Sequence, residues 1–143
     1  MILLDTCALS EIQRPQPVPS VLNYLSGFDM EEMFVSAVSI GEIWFGIEIL
    51  PEGKRRRTLE LWAYHFEREY TSRILPVDAD VARRWGAIGA SCRKQGRPMA
   101  PADGLIAATA IHHDLRLVTR NVKDFEPAGV LIVNPWEDDP GRP

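Results

Sequence analysis

Cysteine is scarce in this chain, since only Cys7 and Cys92 occur among its 143 residues. They form no CxxC pair, so the sequence predicts neither a disulfide framework nor a structural zinc site. A GxGxxG glycine fingerprint is also missing, which excludes a Rossmann dinucleotide-binding enzyme. We therefore expect free thiols and a chemistry that depends on other side chains.

Long apolar segments and an excess of positive charge are absent as well. The most hydrophobic stretch, 37–50, is interrupted by Ser39 and Glu42 and is shorter than the roughly 20 apolar residues that span a bilayer. The first residues have no signal-peptide pattern, so we expect a cytoplasmic protein without a membrane span. The net charge of -4 argues against an extended DNA footprint. It does not exclude an acidic site whose charge is cancelled by bound cations.

Short apolar runs alternate with segments of helical periodicity along the chain. With 45% hydrophobic residues, the length fits one globular domain, which we expect over 1–136, followed by a loose tail over 137–143. Strands alternating with helices predict an α/β fold with a mostly parallel sheet. The predicted strands are 1–4, 33–35, 74–77, 116–119 and 129–133, and the predicted helices are 21–27, 39–50, 54–70, 78–96, 101–113 and a turn over 121–125.

Acidic and amide side chains follow the predicted strands. Asp5 ends the first strand, Glu42 lies in the helix after the second, and Asp103 lies in the first turn of the helix before the fourth. Asn121 and Asp124 come directly after the fourth strand. Because ligands of open α/β sheets bind beyond the carboxyl ends of the strands, we expect these residues to converge at one edge.

Each acidic residue also has an ordinary structural explanation. Ser39 and Glu42 have the spacing of a capping box. Asp103 and Asp124 would each face a helix dipole favourably near a helix start, and Asp5 could cap a turn. Taken singly, these structural explanations are the stronger ones.

Taken together, the carboxylates favour a metal site. Several carboxylates in one crevice repel one another, and hard divalent cations such as Mg²⁺ bind oxygen ligands and relieve that repulsion. Two such ions about 4 Å apart activate a water and orient a phosphodiester, so no histidine is required. His65 lies on a long helix and His112 and His113 end another, where histidine is favoured structurally.

The order and spacing of four segments resemble the PIN domain, and within it the VapC and FitB toxins. The segments are 1–6, 35–42, 103–110 and 117–125, and 133–136 is similar to the ending of the FitB-like branch. The resemblance implies a PIN-like three-layer α/β/α fold with a central five-stranded, mostly parallel sheet over 1–136. It also implies a pocket for Mg²⁺ or Mn²⁺ and an endoribonuclease, a hydrolase in which a metal-activated water cleaves RNA.

The resemblance assigns roles to particular residues. Asp5, Glu42 and Asp103 match the three principal acidic positions, which we expect to be catalytic metal ligands. The expected supporting residues are Thr6, Ser39, Thr119, Asn121 and Asp124. The chain departs from the family at Cys7, where Asn or Ser is usual, and at Asn121, where Asp is frequent.

The resemblance also implies partners: a homodimer, a cognate basic antitoxin of a type II toxin-antitoxin pair, and operator DNA only indirectly through that antitoxin. Single-stranded or looped RNA is the expected substrate, because flexible strands enter a narrow pocket. Basic side chains expected to contact RNA are Arg120, Lys123, Lys54 and Arg55. The alternative is that they belong to solvated helix faces.

Two other functions remain open. A catalytically silent PIN domain that only binds or regulates an antitoxin is motivated by Cys7 and Asn121. A phosphatase or receiver-like domain also places Asp after its first strand. Against the phosphatase, Gln13 stands where a phosphate-binding loop beginning at Cys7 would need Arg, and Asp5 lacks a second Asp two positions on.

Overall fold

Five parallel strands build the centre of the protein in the computed structural model, which describes residues 1–137. Their order across the sheet is β3-β2-β1-β4-β5, and every neighbouring pair is parallel. The strands are β1 (Ile2–Leu4), β2 (Met33–Ser36), β3 (Ile74–Leu75), β4 (Arg116–Val118) and β5 (Ile132–Val133). The α/β fold with a five-stranded sheet is confirmed, and the sheet is wholly parallel.

Helices connect the strands and cover the sheet. They are α1 (Thr6–Ile12), α2 (Pro19–Leu25), α3 (Ala37–Glu48), α4 (Lys54–Glu69), α5 (Ala79–Lys94), α6 (Pro101–His112) and α7 (Val122–Phe125). Pro19 and Pro101 occupy first helical positions, where the missing N–H is not needed. The Asp78 side chain accepts a hydrogen bond from the Val81 N–H and so begins α5.

The side chains of β1 divide between two hydrophobic cores. Ile2 and Leu4 pack in a cluster with α1, α2, α3 and α4, whereas Leu3 packs with Ile106 and Ala110 of α6. Because successive strand side chains point to opposite faces, the two clusters lie on opposite sides of the sheet. The chain therefore has the predicted three layers, helix, sheet and helix.

The position of β1 places its carboxyl end in the middle of the sheet edge. Leu4 pairs with Val35 on one side and with Val118 on the other. The Asp5 N–H continues the ladder by donating to the Val118 carbonyl over 3.0 Å. Whatever follows β1, β2 and β4 therefore meets at one edge.

Two local predictions are wrong. The sequence predicts no helix between Asp5 and the prolines that precede α2, yet Thr6–Ile12 forms α1. Ser39 does not cap the third helix, because the Ser36 hydroxyl accepts from the Val38 N–H and begins α3 three residues earlier. Glu42 is therefore the sixth residue of α3 and takes no part in a capping box.

The outer strands are shorter than predicted. β3 ends at Leu75 instead of Val77, because Pro76 has no N–H to donate to a neighbouring strand. β5 begins at Ile132, after Gly129 in the left-handed conformation with φ 73°. The tail predicted over 137–143 lies, from residue 138 on, outside the described residues. Within 1–137 no helix is long and apolar enough to cross a bilayer.

Candidate metal and active site

Asp5 is the buried centre of the acidic edge, with 4% of its surface exposed. It follows β1 and is the N-cap of α1, where its Oδ1 accepts from the Thr6 N–H over 2.8 Å. The Thr119 hydroxyl donates to Oδ2 over 2.8 Å, and the Cys7 thiol donates to the same oxygen over 3.4 Å. These donors fix the orientation of the carboxylate.

The segment after β4 closes over Asp5. Thr119 is fully buried, and its hydroxyl accepts the Asn121 N–H over 3.0 Å while donating to Asp5. The Arg120 N–H points at the Cys7 sulfur over 3.4 Å. Thr119 thus contacts the predicted centre directly, whereas Asn121 is tied to it through its backbone and makes no side-chain cap.

Glu42 reaches the same edge from α3. The Thr6 hydroxyl donates to Glu42 Oε1 over 2.7 Å, which joins the start of α1 to the second turn of α3. Ser39, one turn earlier, is fully buried, and its hydroxyl has no hydrogen-bond partner among the described residues. Thr6 therefore contacts an acidic residue of the predicted site, whereas Ser39 makes no such hydrogen bond among the described residues.

Asp103 lies in the first turn of α6 and is half-buried. Its pKa is raised from 3.8 to about 6, first by burial and then by the negative charges of Asp5, Asp124 and Glu42. Repulsion of this kind requires the charges to lie near one another. The structure thus brings the predicted acidic residues into one electrostatic cluster, the acidic cluster.

Cys7 is a neutral thiol at this site. Burial, followed by the charge of Asp5, raises its pKa to about 11. Since the thiolate is the nucleophilic form, such a cysteine is a poor nucleophile at neutral pH. The thiol serves as a hydrogen-bond donor to Asp5, which counts against the phosphatase alternative.

The acidic cluster has the donor set of a hard-cation site. None of its carboxylates forms an ion pair with another side chain of 1–137. The ligand oxygens of Asp5, Glu42 and Asp103 do not all lie within 4.8 Å of one another. Because Mg²⁺ keeps several of its waters and takes one or two carboxylates directly, a set of this kind fits it.

A tighter group of possible ligands lies elsewhere. Within 1–137 the trio whose ligand atoms all lie within 4.8 Å is Asp78, Asp80 and His112. The Arg84 Nε–H donates to His112 Nδ1 over 3.0 Å, and Arg83 pairs with Asp80 over 3.0 Å. The guanidinium groups of Arg84 and Arg83 therefore already bond to His112 and Asp80, so we assign no metal to this trio.

Basic side chains flank the acidic cluster on two sides. Lys123 and Arg97 line a cavity of about 350 Å³ together with Asp103 and Asp124. On the other side, Arg55 lines a cavity of about 240 Å³ with Thr6 and Glu42. Lys54 lies further out on that side, and Arg120 is exposed.

A central parallel sheet whose carboxyl edge gathers Asp5, Glu42, Asp103 and Asp124 defines a class of protein. The chain belongs to the PIN domain family, whose model matches residues 2–129. Among its relatives are VapC and FitB toxins. The chain is 36% identical over 141 residues to a VapC ribonuclease of Sinorhizobium fredii. The alignment covers 96% of this chain and 99% of that relative.

Two further relatives give the same assignment. The chain is 38% identical over 139 residues to Toxin FitB of Neisseria gonorrhoeae, covering 96% of this chain and 100% of the toxin. Among solved structures, FitAB bound to a DNA fragment matches with a TM-score of 0.88 and 36% identity, over 95% of this chain and 96% of that one. The predicted family and fold are confirmed.

Proposed function

We propose that this chain is a Mg²⁺- or Mn²⁺-dependent endoribonuclease and the toxin of a type II toxin-antitoxin pair. The observation that carries the proposal is the acidic cluster around buried Asp5, in which burial and then the negative charges of Asp5, Asp124 and Glu42 raise the pKa of Asp103. The relatives named VapC ribonuclease and Toxin FitB support the activity and the biological class.

The chain's own residues would hold and orient the reacting groups. Asp5, Glu42 and Asp103 would be the metal ligands, and Asp124 would add negative charge nearby. When bound, the divalent ion supplies a water of lowered pKa and stabilises charge on the phosphate oxygens. Thr119 and the Thr6 N–H hold the Asp5 carboxylate in place, and the Thr6 hydroxyl does the same for Glu42.

The partner proposed from the relatives is a basic antitoxin. A groove of about 400 Å³ lies between α1, α2 and α4, and most of its lining is apolar, including Leu9, Leu25 and Phe66. Such a groove suits an apolar protein segment, and the net charge of -4 favours a basic partner. A homodimer and contact with operator DNA only through the antitoxin complete the proposal.

The test replaces the ligands by their amides. D5N, E42Q and D103N should each lower cleavage of a single-stranded RNA in the presence of Mn²⁺ by at least about a hundredfold, with unchanged circular dichroism. D80N is the matched control, since it removes an exposed carboxylate from the other possible ligand group. If all three amide variants cleave as fast as the wild type, the assigned site is wrong.

The runner-up is a silent PIN domain that only binds an antitoxin. It is favoured by Cys7 at a usual Asn or Ser position and by the wide spacing of the three ligand carboxylates. Calorimetric titration with Mn²⁺ separates the two functions. Saturable binding that D5N removes supports the nuclease, and the absence of binding to the wild type supports the silent module.

A further inference from the structure

A cleft with both polar and apolar side chains in its lining leads away from the acidic cluster between α1 and the start of α4. Its inner section has a volume of about 240 Å³ and contains Thr6 and Glu42. Its outer section has a volume of about 730 Å³ and contains Arg14 and Lys54. Ser10, Gln13, Arg55 and Leu59 line both sections. The two sections are therefore one continuous cleft, the α1–α4 cleft, which begins at the acidic cluster.

Two cations of this cleft are available to a ligand, whereas Arg14 pairs with Glu11 over 3.5 Å. Lys54 and Arg55 form no ion pair with any residue of 1–137. Their neighbour Arg56 is used internally, since it pairs with Glu48 over 2.8 Å and with Glu60 over 2.9 Å. The basic run at 54–57 thus separates into one structural arginine, two unpaired cations that line the cleft, and Arg57, which is not in the cleft lining.

The start of α4 adds to the positive potential. Gly53 is the N-cap and makes no side-chain hydrogen bond, and the first turn of this 16-residue helix contains no acidic residue. Free N–H groups and the helix dipole favour an anion at this position. Together with Lys54 and Arg55, they favour an anion such as phosphate in the outer section.

The inner and middle sections present neutral polar groups. Gln13 and Ser10 offer donors and acceptors at the junction, and an amide can pair with the edges of unstacked bases. The cleft also contains apolar side chains such as Ile47 and Leu50, but the groove on the other face of α1 is more uniformly apolar, with Leu9 and Phe66 in its lining. The cations and polar groups of the α1–α4 cleft thus favour nucleic acid as its occupant.

We propose that the RNA strand on one side of the cleaved bond lies in the α1–α4 cleft, where Arg55 and Lys54 bind a flanking phosphate and Gln13 contacts a base. The proposal rests on the proposed ribonuclease function. In this arrangement Arg55 and Lys54 bind the RNA at a phosphate other than the reacting one. Gln13 then helps to determine which nucleotide lies beside the cleaved bond.

The experiment compares R55A with R57A on single-stranded RNA of mixed sequence in Mn²⁺. Arg57 lies two positions further along the same helix, is exposed, and is not part of the cleft lining. R55A should raise KM about tenfold with little change in kcat, as expected for a lost charged hydrogen bond. The slope of log KM against the logarithm of the salt concentration should fall by about one, because one phosphate contact is lost. R57A should change neither quantity by more than about twofold.

Two further measurements sharpen the test. A dinucleotide substrate has no flanking phosphate, so its cleavage should respond to D5N but be the same for R55A and the wild type. Q13A should alter the distribution of nucleotides beside the cut without abolishing cleavage. Equal KM values and salt slopes for R55A and R57A on long RNA would overturn the cleft assignment and leave the cleft to a protein partner.

The failure of the cleft and the failure of the nuclease are distinguishable. RNA binding is measured by fluorescence anisotropy in the D5N background, where no cleavage is required. If the wild type cleaves no RNA but D5N binds it with an affinity that R55A lowers, the nuclease function fails and the cleft assignment stands. If the wild type cleaves RNA and R55A leaves binding unchanged, only the cleft assignment fails.

Discussion

The ionised side chain of Asp103 at the acidic edge lowers the stability of the metal-free protein. Asp103 has a pKa of about 6, above its ordinary 3.8, because burial and three neighbouring carboxylates oppose its ionisation. Between these pH values Asp103 binds more protons in the folded chain than in the unfolded chain, so its contribution to the free energy of unfolding falls as pH rises. Without metal, the ionised form of Asp103 above pH 6 therefore destabilises the folded chain relative to the protonated form below pH 4.

The first prediction concerns the metal-free protein. D103N should raise the free energy of unfolding by about 1 kcal/mol above pH 6, a value already reduced for solvent screening. The gain should vanish near pH 4, where Asp103 of the wild type is mostly protonated. Urea unfolding in EDTA across this pH range measures it. A gain that does not change with pH would contradict the electrostatic cause.

The second prediction concerns Thr119. T119V keeps the shape of the side chain but removes the donor to Asp5 and the acceptor of the Asn121 N–H. We expect a loss of about 1–3 kcal/mol of stability and a Mn²⁺ affinity that is about tenfold to a hundredfold weaker. T119S, which retains the hydroxyl, should restore most of the affinity. Calorimetry and urea unfolding check both effects.

At the scale of elements, α6 packs closely against Trp85 of α5 at Gly104. A Cβ on Gly104 would lie 2.8 Å from Cδ1 and Nε1 of Trp85, which is closer than van der Waals contact allows. The small size of residue 104 is therefore required by packing.

The third prediction tests that contact. G104A should destabilise the protein by about 1–3 kcal/mol, since the Trp85 ring or α6 must move. G89A, with no atom within 4 Å of the added Cβ, should instead stabilise it by about 0.5–1 kcal/mol through helix propensity. Thermal unfolding of both variants, and of G104A with W85A, measures the effects. If W85A does not relieve the loss, the Trp85 ring is not its cause.

The elements show what sequence reasoning could reach. β1, β2 and β4 were predictable because buried parallel strands have continuous apolar runs ended by turn residues. The helix α1 was not, since Asp5 and Thr6 indicate a turn as readily as a helix start, and only the contact of Leu9 with the core decides between them. Missing α1 hid the lining of the α1–α4 cleft, including Ser10 and Gln13.

The candidate site was also predictable only in part. The convergence of Asp5, Glu42 and Asp103 was predictable from their places after or before strands. The hydrogen bonds of Asp5 with Thr6 and Thr119, and of Glu42 with Thr6, depend on side-chain directions that no spacing specifies. The sequence also could not show that Arg56 is ion-paired while Arg55 and Lys54 are not, because this difference depends on the positions of Glu48 and Glu60 in the fold.

At the scale of the whole molecule, α1 also holds the far end of the described chain. Glu11 is buried, with 3% of its surface exposed, and its Oε1 accepts from the Trp136 indole N–H over 3.0 Å. Trp136 is itself 2% exposed and packs in the core that contains Leu4 and Leu9. The helix that begins at Asp5 is thus fixed at its other end by residues near the carboxyl end of the domain.

The fourth prediction concerns this connection. W136F should lower the free energy of unfolding by about 1–3 kcal/mol, because it removes a donor from a buried carboxylate. W44F is the matched control, since the Trp44 indole donates over 2.9 Å to Glu67, which is only half-buried. We expect the control to lose less than half as much. Equal losses would show that burial of Glu11 has no special effect.

The pairing of β1 with β4 joins the strands from the first part of the chain, β1 to β3, to the strands from its last part, β4 and β5. Leu4 lies beside Val118, and Asp5 receives its hydroxyl donor from Thr119. Domains emerge from the ribosome with their amino-terminal part first, so a nascent chain that ends before Thr119 has no completed acidic edge. The proposed ribonuclease activity is therefore delayed by the topology of the sheet until nearly the entire domain has been translated.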